Sequence, residues 1–145
     1  MVLAGERAKA SDLAALESVA WTPFLPTWTN LTVGAGGVGT YSYCKIGRLV
    51  VASYEFVLGA GSAVGTGPYV TLPVPASSNQ LIAAVSEYRD SAPAGVYWGV
   101  ALQSGSVMLM CRMSAEARTA VTASSPFTWA TGDSLRFTIT YQSAS

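Results

Sequence analysis

Ser134-Leu135-Arg136-Phe137-Thr138-Ile139-Thr140-Tyr141 decides the fold class. In an extended chain successive side chains point to opposite faces, so Leu135, Phe137, Ile139 and Tyr141 share one face and Arg136, Thr138 and Thr140 the other. The β-branched and aromatic residues in the stretch suit a pleated, half-buried surface. Arg48-Leu49-Val50-Val51-Ala52-Ser53-Tyr54-Glu55-Phe56-Val57-Leu58 has the same character with a more apolar second row. Working outward, 41–44, 69–72, 80–88, 96–103 and 106–113 read as further strands. Turn residues separate them at Lys45-Ile46-Gly47-Arg48, Gly59-Ala60-Gly61-Ser62, Ser104-Gly105 and Thr131-Gly132-Asp133. No segment of helical length and period lies between the strands, which argues against βαβ units. The expected architecture is all-β, an antiparallel β-sandwich or jelly roll over residues 29–145, preceded by a short N-terminal α-helix.

That helix is read from Ser11 onward. Ser11 suits the N-cap, and Asp12 in the first turn favours the helix dipole. Leu13, Leu16 and Ala20 then form a narrow apolar seam, amid Glu6, Arg7, Lys9 and Glu17. About ten residues are too few for a stable isolated helix. The seam must therefore dock on its own domain, on other copies of the chain, or on a larger assembly. Trp21-Thr22-Pro23-Phe24-Leu25-Pro26-Thr27-Trp28 follows, and its two prolines stop the helix and favour an extended path. Its large aromatics are expected to pack on the body. Residues 1–28 thus read as an anchoring helix with a Pro/Trp linker. Leu13, Leu16, Ala20, Trp21, Phe24 and Trp28 are its expected anchoring or oligomer contacts.

Composition narrows the function. The 145 residues include 8 Lys+Arg, 8 Asp+Glu and no His, giving zero formal charge. Without His, a Ser-His-Asp or Cys-His catalytic set and a His-ligated metal are excluded. Scattered basic residues leave no electrostatic footprint for nucleic acid. No run of about 18 apolar residues suggests membrane insertion. The charged opening residues do not suit a cleavable secretory leader, so the expectation is synthesis in the cytoplasm, with the protein staying folded there or leaving by a route other than classical secretion. Only 11% of residues are charged while 50% are hydrophobic, against roughly 25% charged in ordinary soluble domains. So apolar a chain is expected to bury surface between copies in a homo-oligomer. Cys44 and Cys111 lie in apolar β-like runs and read as buried thiols rather than a bridge.

Motif-like stretches carry little chemistry. Gly34-Ala35-Gly36-Gly37-Val38-Gly39 matches G-x-G-x-x-G by letter, but a β-like run follows where a dinucleotide site needs a helix. It reads as a flexible loop. Glu55 falls on the outer row of its strand with Ser53 and Val57, a solvent or interface position. Glu87-Tyr88-Arg89-Asp90 reads as a solvated strand exit and Asp133 as a turn residue. Val107-Met108-Leu109-Met110-Cys111-Arg112-Met113 reads as a buried strand or interface rather than a thioether metal site. No catalytic, cofactor or metal site is expected. Tyr88, Tyr97, Trp98 and Trp129, near loop edges and strand ends, are the residues most suited to stacking on a sugar, with core or subunit packing as the plainer role.

Four stretches resemble a family of bacteriophage virion proteins found in phages and prophages of actinobacteria. The opening Ala4-Gly5-Glu6-Arg7-Ala8-Lys9-Ala10-Ser11-Asp12-Leu13-Ala14-Ala15-Leu16-Glu17 is similar to their short N-terminal helix. Trp21-Thr22-Pro23-Phe24-Leu25-Pro26-Thr27-Trp28-Thr29 resembles their W-T-x-x-x-P-T-W linker. Tyr41-Ser42-Tyr43-Cys44-Lys45-Ile46-Gly47-Arg48-Leu49-Val50 resembles a Y-x-x-I-G-K-x-V strand pair. Pro126-Phe127-Thr128-Trp129-Ala130-Thr131-Gly132-Asp133-Ser134-Leu135-Arg136-Phe137 is similar to their closing strand. Residues 59–125 carry no family signature. The resemblance implies a sandwich or jelly-roll body, commonly trimeric, whose N-terminal segment binds other virion proteins. It implies a minor tail, tail-fibre or tail-tip part assembled in the host cytoplasm, with loop aromatics touching host-surface glycans, and no enzyme. A capsid decoration protein or head fibre is the alternative, and a lectin-like module or glycan-active enzyme the third.

Overall fold

A computed structural model describes residues 19–78, 83–104, 107–114 and 117–145. Every regular element among them is a strand. In chain order these are β1 (Thr22–Pro23), β2 (Trp28–Thr32), β3 (Val38–Ile46), β4 (Leu49–Val57), β5 (Ala63–Thr71), β6 (Ala83–Ser91), β7 (Ala94–Ser104), β8 (Val107–Ser114), β9 (Ala117–Ala120) and β10 (Ser134–Gln142). Leu13, Leu16 and most of the expected helix lie outside the described residues. Val19 and Ala20, at its end, are irregular.

All pairings are antiparallel. One hydrogen-bonded path runs β1-β3-β4-β10-β6-β7-β8-β5-β2, with β9 beside β8. The sheet curls until its β2–β5 end faces β4. The Trp28 ring on β2 lies 6.0 Å from Phe56 on β4, and the Tyr54 hydroxyl donates to the Thr71 carbonyl at 3.0 Å. The all-β, antiparallel expectation holds. The opposed layers belong to one curled sheet rather than to two separate sheets.

The core follows from the alternation. In register, Val50 faces Tyr141, Ala52 faces Ile139, Tyr54 faces Phe137 and Phe56 faces Leu135. All eight side chains are buried on the inner face. The Tyr54 and Phe137 rings stack at 4.4 Å. Burying each large apolar side chain contributes about 1.5–3 kcal/mol before entropy is charged, so this central pair of strands is the main stabilising element. β3 and β4 form a hairpin in which Ile46 pairs Leu49 across Gly47-Arg48. Gly47 has φ +58°, the left-handed conformation that a tight hairpin turn asks of its first residue.

The glycine-rich stretch before β3 is packed rather than flexible. Gly36 N–H donates to the Ala60 carbonyl at 3.0 Å, joining this loop to the one after β4. A Cβ on Gly59 would stand 1.7 Å from the Gly36 carbonyl oxygen, so backbone meets backbone there. The glycines serve this close approach, and β3 begins at Val38 directly afterwards.

Candidate functional site

The outward row of β10 organises the outer face. Register places Thr40, Glu55, Arg136, Glu87 and Trp98 side by side across β3, β4, β10, β6 and β7. Adjacent strands lie about 4.8 Å apart, so Glu55 and Trp98 stand about 14 Å from each other, with the ion pair between them.

Arg136 Nη2 lies 2.7 Å from Glu87 Oε1, and Arg89 Nε lies 3.8 Å from the same oxygen. The Glu87 side chain is only 15% exposed. Its Oε1 is enclosed and has no aligned hydrogen-bond donor. The contact with Arg136 is close in distance but not directed along an N–H bond. Glu87 therefore gains Coulomb attraction while its acceptor capacity is not fully used. The sequence reading of 87–90 as a solvated exit is corrected here, since Glu87 is largely covered and Tyr88 is fully buried.

An open trough of about 360 Å³ runs along this row, bounded by Ser53, Glu55, Val85, Glu87, Trp98, Arg136 and Thr138. A second hollow of about 480 Å³ lies beside it and shares Ser53 and Thr138, with Trp21, Ser42 and Val51 at its other end. The outer face is thus indented from Trp21 at the β1 edge to Trp98 on β7.

The four aromatics that the sequence offers as sugar contacts do not form one site. Tyr88 is on the inner face, where its hydroxyl accepts from Ser86 Oγ at 2.8 Å. Its ring lies 5.9 Å from Trp129, which is 4.4 Å from Phe127, itself 5.1 Å from Tyr97. Trp129 Nε1 donates to the Thr122 carbonyl at 3.0 Å. These three form a cluster with Phe127 that runs from the buried Tyr88 through the half-buried Trp129 to the exposed Tyr97. Trp98 faces the other way and is 58% exposed.

The expected anchoring residues also divide. Ala20 and Trp21 are exposed. Phe24 packs among Tyr41, Tyr43 and Tyr54 at ring distances of 5.3–6.1 Å. Trp28 is half-buried, and its Nε1 donates to the Tyr41 hydroxyl at 2.9 Å. The 28/29 boundary read from the sequence falls within β2.

Sequence reasoning missed Arg136 and the reach of Asp133. Arg136 was visible as an outward residue, but its partner depends on β10 lying beside β6. Asp133 is buried. Its Oδ1 accepts from Ser91 N–H and Ser91 Oγ, both at 2.8 Å, and its Oδ2 from Ala130 N–H at 2.6 Å. Burial pushes the tyrosine hydroxyls of the core upward in pKa: Tyr41 and Tyr54 above the usual value, and Tyr141 up to about 12. Cys44 is half-buried and free. Among the described residues no three His, Cys, Asp or Glu side chains converge as metal ligands.

Comparison with protein-family models, with curated proteins and with solved structures finds no match.

Proposed function

We propose that this chain is a bacteriophage virion structural protein. It is a tail-fibre or tail-tip component that assembles as a homotrimer and attaches through residues 1–28. Its curled sheet serves as a jelly-roll body whose outer face meets host-surface glycans. The observation that carries this reading is the way the chain joins the body. Trp21 comes in over Ser42 and Val51 on the outer face and stays 52% exposed, while Leu25 is 90% exposed. Ile46 and Leu49, at the nearby hairpin, are exposed too. Large apolar side chains left in water beside the incoming segment suit burial against another chain. The sparse charge of the whole sequence suits the same burial.

Light scattering on the full chain and on a chain starting at Trp21 tests the assembly. A trimer in both puts the subunit contacts in the sheet body. A trimer only in the full chain assigns them to residues before Trp21. Monomers in both reject the trimer. Labelled antibody against the chain, applied to phage particles from the producing culture, tests the location. Tail labelling supports the reading, shell labelling replaces it with capsid decoration, and unlabelled particles reject it.

A further inference from the structure

We propose that the trough between Glu55 and Trp98 binds a neutral hexopyranose. Trp98 is the stacking platform and the Glu87–Arg136 pair the polar contact. The proposal rests on the functional reading above only for the biological source of the sugar; the site itself is argued from geometry.

Trp98 is on β7 beside Glu87 of β6, with its indole exposed at the rim of the trough. An indole face offers a flat apolar surface to the C–H face of a pyranose ring; Trp98 presents one, whereas Trp129 is half-buried with its ring packed between Tyr88 and Phe127. Next to it, Glu87 and Arg136 present a carboxylate and a guanidinium 2.7 Å apart. A vicinal diol matches that pair, with one hydroxyl donating to the carboxylate and its neighbour accepting from the guanidinium. Ser53 and Thr138 add rotatable hydroxyls on the adjoining wall.

Size and charge narrow the ligand. The 360 Å³ trough is near the small end of ligand sites, which run from about 300 to 1,000 Å³. That suits a ring or two rather than a long chain. Its lining holds Glu55 and Glu87 against Arg136, and Arg89 reaches the same Glu87 oxygen from beside. The four charges cancel, so no net positive field selects a carboxylated or sulfated sugar.

Saturation-transfer NMR on the full chain tests this with the methyl glycosides of glucose, galactose and mannose, and with methyl glucuronide as the acidic comparison. Transfer to at least one neutral glycoside is expected, with a weaker signal from the glucuronide. Trp98→Ala removes an exposed side chain and is expected to leave the circular dichroism unchanged while weakening binding at least about tenfold. Glu87→Gln keeps the shape and is expected to weaken it as well. Val33→Ala, at an exposed position outside the trough, is expected to leave it unchanged. No transfer from any neutral glycoside overturns the proposal, as does binding that survives Trp98→Ala or a preference for the glucuronide. Sugar binding by a chain that labels no phage particle keeps the site and rejects the virion reading. Tail labelling without sugar binding does the reverse.

Discussion

At the scale of the single residue, Asp133 shows how a turn residue can carry tertiary structure. Gly132, at φ +95°, makes the turn, and the buried carboxylate behind it takes three hydrogen bonds, two of them from Ser91. Hydrogen bonds to a charged group contribute about 1.5–3 kcal/mol each, reduced here because the donors, on Ser91 and Ala130, lie in exposed residues that water can reach. Asp133→Ala is therefore expected to cost about 3 kcal/mol in urea unfolding, with Asp133→Asn costing less because it keeps one acceptor oxygen. A loss below about 1 kcal/mol for the alanine variant would show that the turn does not depend on this anchor. The sequence made the turn legible through Thr131-Gly132, but not the partner, since Ser91 is 42 residues away. Tyr88 was hidden for a related reason. The inner row of β6 contains the polar Ser86, which interrupts the apolar pattern and is satisfied by the Tyr88 hydroxyl.

At the scale of the element, strands with unbroken alternation were the legible ones. β4 and β10 lie where their pattern puts them, and the outward positions of Glu55, Arg136 and Thr138 follow from it. β2 was not legible because its alternation breaks. Its pairing with β5 shifts between Thr29 and Leu31, and Asn30 between them sits at φ +57°. Asn tolerates that left-handed conformation, and its Nδ2 donates to the Thr66 carbonyl at 3.0 Å, fixing the bulge. β1 has two residues, one of them Pro23, and β9 has four, too short for a period to appear. The glycine loops hold the β3 and β4 ends together by backbone contact. Gly59→Ala is expected to destabilise the fold by at least about 2 kcal/mol, because the new methyl meets a backbone oxygen that no side-chain rotation can move. Gly47→Ala adds no clash, since nothing lies within 4 Å of its Cβ position, and pays only for its positive φ, about 1 kcal/mol. Unfolding midpoints that rank these two variants the other way would remove the loop contact from the account.

At the scale of the molecule, the strand order is the part that sequence patterns could not supply. Periodicity assigns a face to each strand but not a neighbour, and here the last strand, β10, lies between β4 and β6. Both the aromatic core and the Glu87–Arg136 pair depend on that insertion. The core it completes also fixes how the protein responds to alkali. Tyr141 hydroxyl donates to the Val74 carbonyl at 2.7 Å, and Tyr54 hydroxyl to the Thr71 carbonyl at 3.0 Å. Burial disfavours the phenolate, so the folded pKa of Tyr141 rises to about 12, and those of Tyr54 and Tyr41 also rise. In the unfolded chain a tyrosine titrates near 10. Below that pH both states are protonated and the tyrosines give stability no slope. Above it the unfolded state loses protons first, so stability falls as pH rises, by up to about 1.4 kcal/mol per pH unit for each such tyrosine. For Tyr141 the fall ends near pH 12, where the folded state titrates as well. Three tyrosines acting together in this window are expected to bring about cooperative unfolding, with tyrosinate absorbance and loss of the β-sheet dichroism rising at one midpoint. Tyr141→Phe loses the hydrogen bonds to Val74 and is expected to be less stable at neutral pH, but its stability is expected to fall less steeply between about pH 10 and 12 because one titrating group is gone. Tyrosinate absorbance that develops fully near pH 10 while the sheet signal persists would mean that these hydroxyls are open to water in the folded protein.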